Sequence, residues 1–214
     1  MTEKKLKKLI VALDVDSRAK AMELAGKLTG QVGLFKVGME LFYAAGPEII
    51  RDISASGAGV FLDLKLHDIP HTVARAAGVL ARYGAAIINV HAAGGREMMR
   101  AARESAAAEA GKVGAPAPLV IAVTVLTSID QQTFNNEIGL PGTLKDRVLA
   151  WALLAQEAGL DGVVCSPREI AAVRAVCGPG FKIITPGIRP AGAAVGDQRR
   201  VMTPAGVIYV QIAF

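Results

Sequence analysis

Short apolar runs alternating with helical stretches along 214 residues predict an α/β protein of the (β/α)8 TIM barrel class. Two further observations narrow the choice. No Gly-x-Gly-x-x-Gly turn follows any of the runs, which argues against a dinucleotide-binding sheet. The isolated polar residues also fall at the C-terminal ends of the runs or just beyond them, where a barrel gathers its functional groups: Asp14, Lys36, Asp63, Lys65, His91, Thr127 and Arg189.

Taken in order, the strand candidates are residues 9–15, 33–37, 60–66, 87–90, 119–123, 162–165 and 182–185. Between them, residues 19–28, 47–55, 73–83, 96–110, 144–158 and 168–176 carry alanine, leucine and charges at helical spacing. One domain spanning residues 1–214 is the expected organisation, because this length suits one sizeable core and would crowd two. Two connections exceed the usual length of α/β loops. Residues 127–140 suit either a mobile lid or a solvated excursion. Residues 187–200 combine Gly192 and Gly196, which permit close backbone approach, with Arg189, Gln198, Arg199 and Arg200, which offer donors to an anion.

The third run is unlike the others. Residues 60–66 alternate with the period of a strand, so Asp63 and Lys65 share one face while Leu62, Leu64 and Leu66 share the other. Asp68 follows at once, giving Asp-x-Lys-x-x-Asp, and Ile69-Pro70 imposes an extended stop. A solvated strand edge with an ordinary ion pair is the bland alternative. Against it, the surrounding leucines and Phe61 suit a parallel strand covered on both sides, where charge is expensive unless it serves a site.

Composition sets outer bounds. With 52% hydrophobic and 20% charged residues the chain is an ordinary globular sequence, and no run reaches the roughly 18 apolar residues of a membrane span. Lys4, Lys5, Lys7 and Lys8 precede an apolar run too short for a signal peptide, so no export signal is expected. Cys165 and Cys177 lack metal-ligand spacing and read as buried free thiols of a cytoplasmic protein. The net charge of +5 is dispersed and only 5% of residues are aromatic, which suits a small phosphorylated anion better than nucleic acid. His67 and His71 read as loop residues, and Met98, Met99 and Trp151 as helix core.

The Asp-x-Lys-x-x-Asp stretch resembles the orotidine 5′-monophosphate decarboxylases, closely the bacterial form. Ala12-Leu13-Asp14, Phe35-Lys36-Val37-Gly38, Val90-His91-Ala92-Ala93-Gly94-Gly95, Leu126-Thr127-Ser128 and Thr185-Pro186-Gly187-Ile188-Arg189 fall in that family's order, and the likeness runs from about residue 9 to about residue 204. It implies cofactor-independent, metal-free conversion of orotidine 5′-monophosphate to uridine 5′-monophosphate in pyrimidine synthesis. Lys65 corresponds to the cation and proton donor, and Asp63 to the residue near the substrate carboxylate. Lys36 completes an alternating Lys-Asp-Lys-Asp array with Asp68. Asp14 and Lys36 would hold ribose hydroxyls, Thr127 the pyrimidine edge, Gln198 the base and phosphate, and Arg189 the phosphate region. A cytoplasmic homodimer is implied, with Asp68, Ile69 and Thr72 reaching the partner's ribose; no nucleic acid or membrane partner is expected. His91 serves the site or is only a structural hydrogen-bonding residue.

The likeness fails after Met202-Thr203-Pro204. Residues 207–214 either replace the eighth strand with most of its preceding helix deleted, or mark a truncated or frameshifted end, and Ala213 and Phe214 stand where the family carries a phosphate-binding Gly-Arg pair. The barrel is therefore expected to be incomplete at its eighth strand and final helix. The rival functions are a magnesium-dependent sugar-phosphate decarboxylase of the same superfamily and a noncatalytic nucleotide-binding barrel.

Overall fold

A computed structural model describes residues 8–188. Seven strands form one sheet whose order follows the chain: β1 (Ile10–Ala12), β2 (Leu34–Gly38), β3 (Gly59–Leu66), β4 (Ile87–His91), β5 (Leu119–Val123), β6 (Gly162–Val164) and β7 (Lys182–Ile184). The helices are α1 (Arg18–Leu28), α2 (Met39–Ala45), α3 (Glu48–Ala55), α4 (Pro70–Arg82), α5 (Gly95–Lys112), α6 (Leu144–Glu157) and α7 (Ile170–Cys177). This is the βα alternation the sequence predicts. The expected eighth strand, with Arg189 and Gln198, lies outside the described residues.

The described chain divides into two compact units, one from residues up to 90 with 100–120, the other from 91–99 with 121 onward. In the first, β1, β2, β3 and β4 pair in parallel in that order. Phe35, Val37, Val60, Leu62, Ile88 and Val90 of these strands are buried, and so are Ala21 and Ala25 of α1 and Ile49, Ile50 and Ile53 of α3. Each fully buried isoleucine contributes about 1.5–3 kcal/mol over its exposed state, so α3 is held chiefly by its apolar face; its N-cap, Pro47, makes no side-chain bond, while Ser56 at its C-terminal end donates to the Ile53 carbonyl at 2.6 Å. In the second unit β5, β6 and β7 pair in parallel. Gly162 is obligatory there: a Cβ at this position would stand 2.2 Å from the Lys182 carbonyl oxygen.

Several element ends differ from the sequence reading, each for a local reason. α2 is an additional helix beyond those read from the sequence. Its Met-Glu-Leu-Phe-Tyr-Ala-Ala sequence starts directly off β2 and ends at Gly46, whose φ of 74° closes the turn. α4 starts at Pro70, not at residue 73, because Ile69 is extended at ψ 151° and proline at the first helical position has its φ already set. Ser166 and Glu169 form a capping box around a 3₁₀ turn at Pro167–Glu169, which delays α7 to Ile170. The connection at residues 127–140 has local structure of its own. It carries a π-helical turn, Thr133–Glu137, with Phe134 fully buried, and Asn135 Nδ2 donates to the carbonyls of Leu140 at 2.7 Å and Gly142 at 3.0 Å. Trp151 is half-buried and not core; the Arg147 guanidinium lies 5.7 Å over its ring. Met98, Met99, Cys165 and Cys177 are buried as expected, and both cysteines are free.

Candidate active site

Strand register builds the site. Lys36 on β2 is level with Ala12 on β1 and with Phe61 on β3. Two residues further along those neighbours stand Asp14 and Asp63, and residues two apart on a strand share a face. The Lys36 side chain therefore reaches forward between two carboxylates, with Nζ 2.9 Å from Asp14 Oδ1 and 3.7 Å from Asp63 Oδ2. Asp63 Oδ1 in turn accepts from Lys65 Nζ at 2.8 Å. Asp14, Lys36, Asp63 and Lys65 thus form a continuous row of alternating charge across three strand exits. Its exposure falls from 69% at the Asp14 side chain to 15% at Asp63, so the inner pair is the more strongly coupled. Gly38, level with Asp63, leaves room for the row: a Cβ there would stand 3.2 Å from Lys36 Nζ.

Strict alternation along β3 does not survive to Leu66. The register with β4 runs from Leu62 opposite Ile88 to Leu66 opposite Val90, so two more residues pass on β3 than on β4. Lys65 takes up the excess with a φ of 54°, the one positive value at a non-glycine residue among those described. Its backbone N–H donates at 2.7 Å to the side-chain Oδ1 of Asn89, whose Nδ2 donates at 2.7 Å to Asp63 Oδ1. Asn89 is completely buried. It was missed in the sequence, although a lone carboxamide inside Ile87-Ile88-Asn89-Val90 was the available signal. Leu64 and Leu66 are not covered as the sequence suggests. Both are only half-buried and line an open apolar groove of about 350 Å³ with Phe42, Tyr43, Val79 and Leu80.

The other predicted residues are placed differently. Asp68 does not join the row within this chain: its Oδ1 accepts from the Ile69 N–H at 2.6 Å, a bond internal to the loop that fixes the approach to α4. Ile69 is 65% exposed, and Thr72, His67 and His71 are exposed as well. Thr127 is buried and His91 half-buried, and both belong to the second unit. Among the described residues, no group of three or more His, Cys, Asp or Glu side chains is arranged to hold a metal ion, and no helix is long and apolar enough to cross a membrane.

These features define a class: a parallel α/β protein that carries an ordered carboxylate–ammonium row at the exits of its first three strands. The model of the orotidine 5′-phosphate decarboxylase / HUMPS family matches residues 7–211, and the chain belongs to that family. The orotidine 5′-phosphate decarboxylase of Moorella thermoacetica is 55% identical over 198 residues, which cover 92% of this chain and 79% of that protein. Its counterpart in Syntrophomonas wolfei is 53% identical over 208 residues, 97% of this chain and 87% of that one. The crystal structure of orotidine 5′-phosphate decarboxylase from Lactobacillus acidophilus superposes with a TM-score of 0.83 at 38% identity, covering 94% of this chain and 85% of that chain. That of orotidine 5′-monophosphate decarboxylase from Methanocaldococcus jannaschii, complexed with inhibitor BMP, gives a TM-score of 0.70 at 25% identity, over 88% and 81%.

Proposed function

We propose that this chain is a carboxy-lyase that converts orotidine 5′-monophosphate to uridine 5′-monophosphate in pyrimidine synthesis. The observation that carries the reading is the Asp14–Lys36–Asp63–Lys65 row, in a chain whose relatives at 55 and 53% identity are named for that reaction. Loss of carbon dioxide from C6 leaves an electron pair in an sp² orbital that the pyrimidine π-system cannot delocalise. The stabilising group must be a cation in the ring plane that can also deliver a proton. Lys65 is that group: its ammonium is fixed by Asp63 before substrate arrives, so little reorganisation is needed as charge develops. Asp63 lies near the leaving carboxylate, and Asp14 and Lys36 hold ribose hydroxyls. Thr127 meets the pyrimidine edge, and Arg189 and Gln198 the phosphate region. The phosphate does not react, so its binding energy serves the transition state by closing and drying the site.

The working form in this reading is a cytoplasmic homodimer of single (β/α)8-barrel domains. Asp68, Ile69 and Thr72 contribute to the partner's ribose site. What supports it is exposed apolar surface: Ile69 is 65% exposed, and an apolar groove between Phe42, Tyr43, Leu64, Leu66 and Val79 leaves Tyr43 75% exposed, a surface that a second copy would cover. No metal or organic cofactor takes part. The magnesium-dependent sugar-phosphate decarboxylase is the less favoured reading. Formation of uridine 5′-monophosphate by chelator-treated protein tests the choice, since the rival would lose its activity there.

A further inference from the structure

We propose that Asn89 is a positioning residue of this site: one carboxamide holds both the left-handed backbone at Lys65 and the Asp63 carboxylate, and so sets where the Lys65 ammonium stands. The kinetic part of this inference rests on the decarboxylase reading. The orientation of the carboxamide is dictated by chemistry. A backbone N–H can only donate, so the atom 2.7 Å from Lys65 N is Oδ1, and the atom 2.7 Å from Asp63 Oδ1 is then Nδ2. Both ends are committed to protein, and the residue is completely buried, so it acts through its neighbours and not on substrate.

Each contact has a distinct consequence. The β3 bulge takes Lys65 out of the regular pairing with β4, and the Asn89 oxygen supplies an acceptor for its amide. A left-handed lysine is sterically disfavoured and persists only where its surroundings over-determine it. At the other end, Asp63 stands between two ammoniums, Lys65 at 2.8 Å and Lys36 at 3.7 Å. The Asn89 donor occupies the same Oδ1 that Lys65 uses, which fixes the carboxylate plane and keeps the short contact on Lys65. Without it the carboxylate is free to rotate toward Lys36 and release Lys65.

Two variants of the full chain separate these effects. Asn89→Leu keeps the branched shape, with some added bulk, and loses both contacts. Asn89→Asp keeps an acceptor for the Lys65 amide but sets an oxygen against Asp63. The measurements are kcat and KM for orotidine 5′-monophosphate and hydrogen exchange at the Lys65 amide. For Asn89→Leu we expect kcat to fall roughly 30- to 300-fold with KM within about threefold, and Lys65 exchange to accelerate while Leu13, bonded to Lys36 O on the neighbouring strands, stays protected. For Asn89→Asp we expect a similar loss of kcat with Lys65 exchange still slow. A general structural role would speed exchange at both amides alike and spare the kcat of whatever remains folded. The proposal is overturned by a folded Asn89→Leu protein with kcat within about threefold of the parent, or with Lys65 exchange unchanged. Should Asn89→Leu not fold, normal kcat in Asn89→Asp overturns it. If the parent chain forms no uridine 5′-monophosphate, the decarboxylase reading fails, while the exchange data still decide whether Asn89 holds Lys65.

Discussion

Replacing Lys65 by alanine removes the ammonium while leaving most of its surroundings in place, and the size of the effect can be worked out. An ammonium about 3 Å from a developing negative charge, at an effective dielectric near 20, contributes about 5 kcal/mol. The substrate carboxylate already carries that charge in the ground state, so roughly half, about 2.5 kcal/mol or 70-fold, is specific to the transition state. Loss of a positioned proton donor costs about 10²- to 10⁴-fold more, and the product is a fall in kcat of about 10⁴- to 10⁶-fold. The fold persists, because Asp63 keeps the Asn89 amide at 2.7 Å and Lys36 at 3.7 Å, and the expected loss of stability is about 1 kcal/mol. Lys65→Gly is a sharper control. It is equally inactive but relieves the φ of 54°, and is expected to be roughly 1 kcal/mol more stable than Lys65→Ala. Single-turnover formation of uridine 5′-monophosphate and urea unfolding read the two effects. Turnover by Lys65→Ala within about tenfold of the parent would refute the proton-donor role, and a glycine variant no more stable than the alanine variant would refute the strain.

Gly38→Ala places a methyl group 3.2 Å from Lys36 Nζ and is expected to lower kcat/KM about tenfold through displacement of that ammonium, with unfolding by urea little changed. Gly162→Ala drives a Cβ to 2.2 Å from the Lys182 carbonyl oxygen and is expected to cost more than about 3 kcal/mol, read in the same unfolding experiment; a normal midpoint would contradict the β6–β7 contact. The Arg18 guanidinium holds the Asp52 carboxyl below the usual carboxylate range, chiefly through its hydrogen bonds, which outweigh the opposing effect of burial, with its charge a smaller contribution. The stability this pair contributes is therefore present above the unfolded carboxylate value of about 3.9 and is lost as pH falls through the lower folded value. The stability difference between parent and Asp52→Asn should shrink over that acid range, and a difference that is flat with pH would count against the pair. Asp68→Ala and Lys65→Ala, each nearly inactive alone, should regain activity when mixed and allowed to exchange subunits; exchange without recovery would show that Asp68 does not act across an interface.

The βα alternation was legible because short apolar runs and alanine-rich helices have different periods, and every strand of the described sheet stands where a run was read. Asp14, Lys36, Asp63 and Lys65 were legible as a group because the chemistry-bearing residues recur at run ends. What the sequence concealed is register. The two-residue excess on β3 has no marker within Leu62-Asp-Leu-Lys-Leu, since no glycine announces the left-handed residue. The amide at Lys65 that takes a side-chain acceptor follows from that excess. Asn89 was overlooked for the same reason: its partners are set by a bulge in another strand. The contact of the Asp68 carboxylate with the following amide is likewise a loop detail that no periodicity marks.

The row at the strand exits is expected to decarboxylate orotidine 5′-monophosphate without a metal ion. Its most direct test is to treat the full chain with chelator, supply orotidine 5′-monophosphate, and quantify uridine 5′-monophosphate together with carbon dioxide. Equal amounts of both products are expected, formed over many turnovers and unchanged when magnesium is restored. No product at any enzyme concentration, or activity that vanishes in chelator and returns with magnesium, would contradict this expectation.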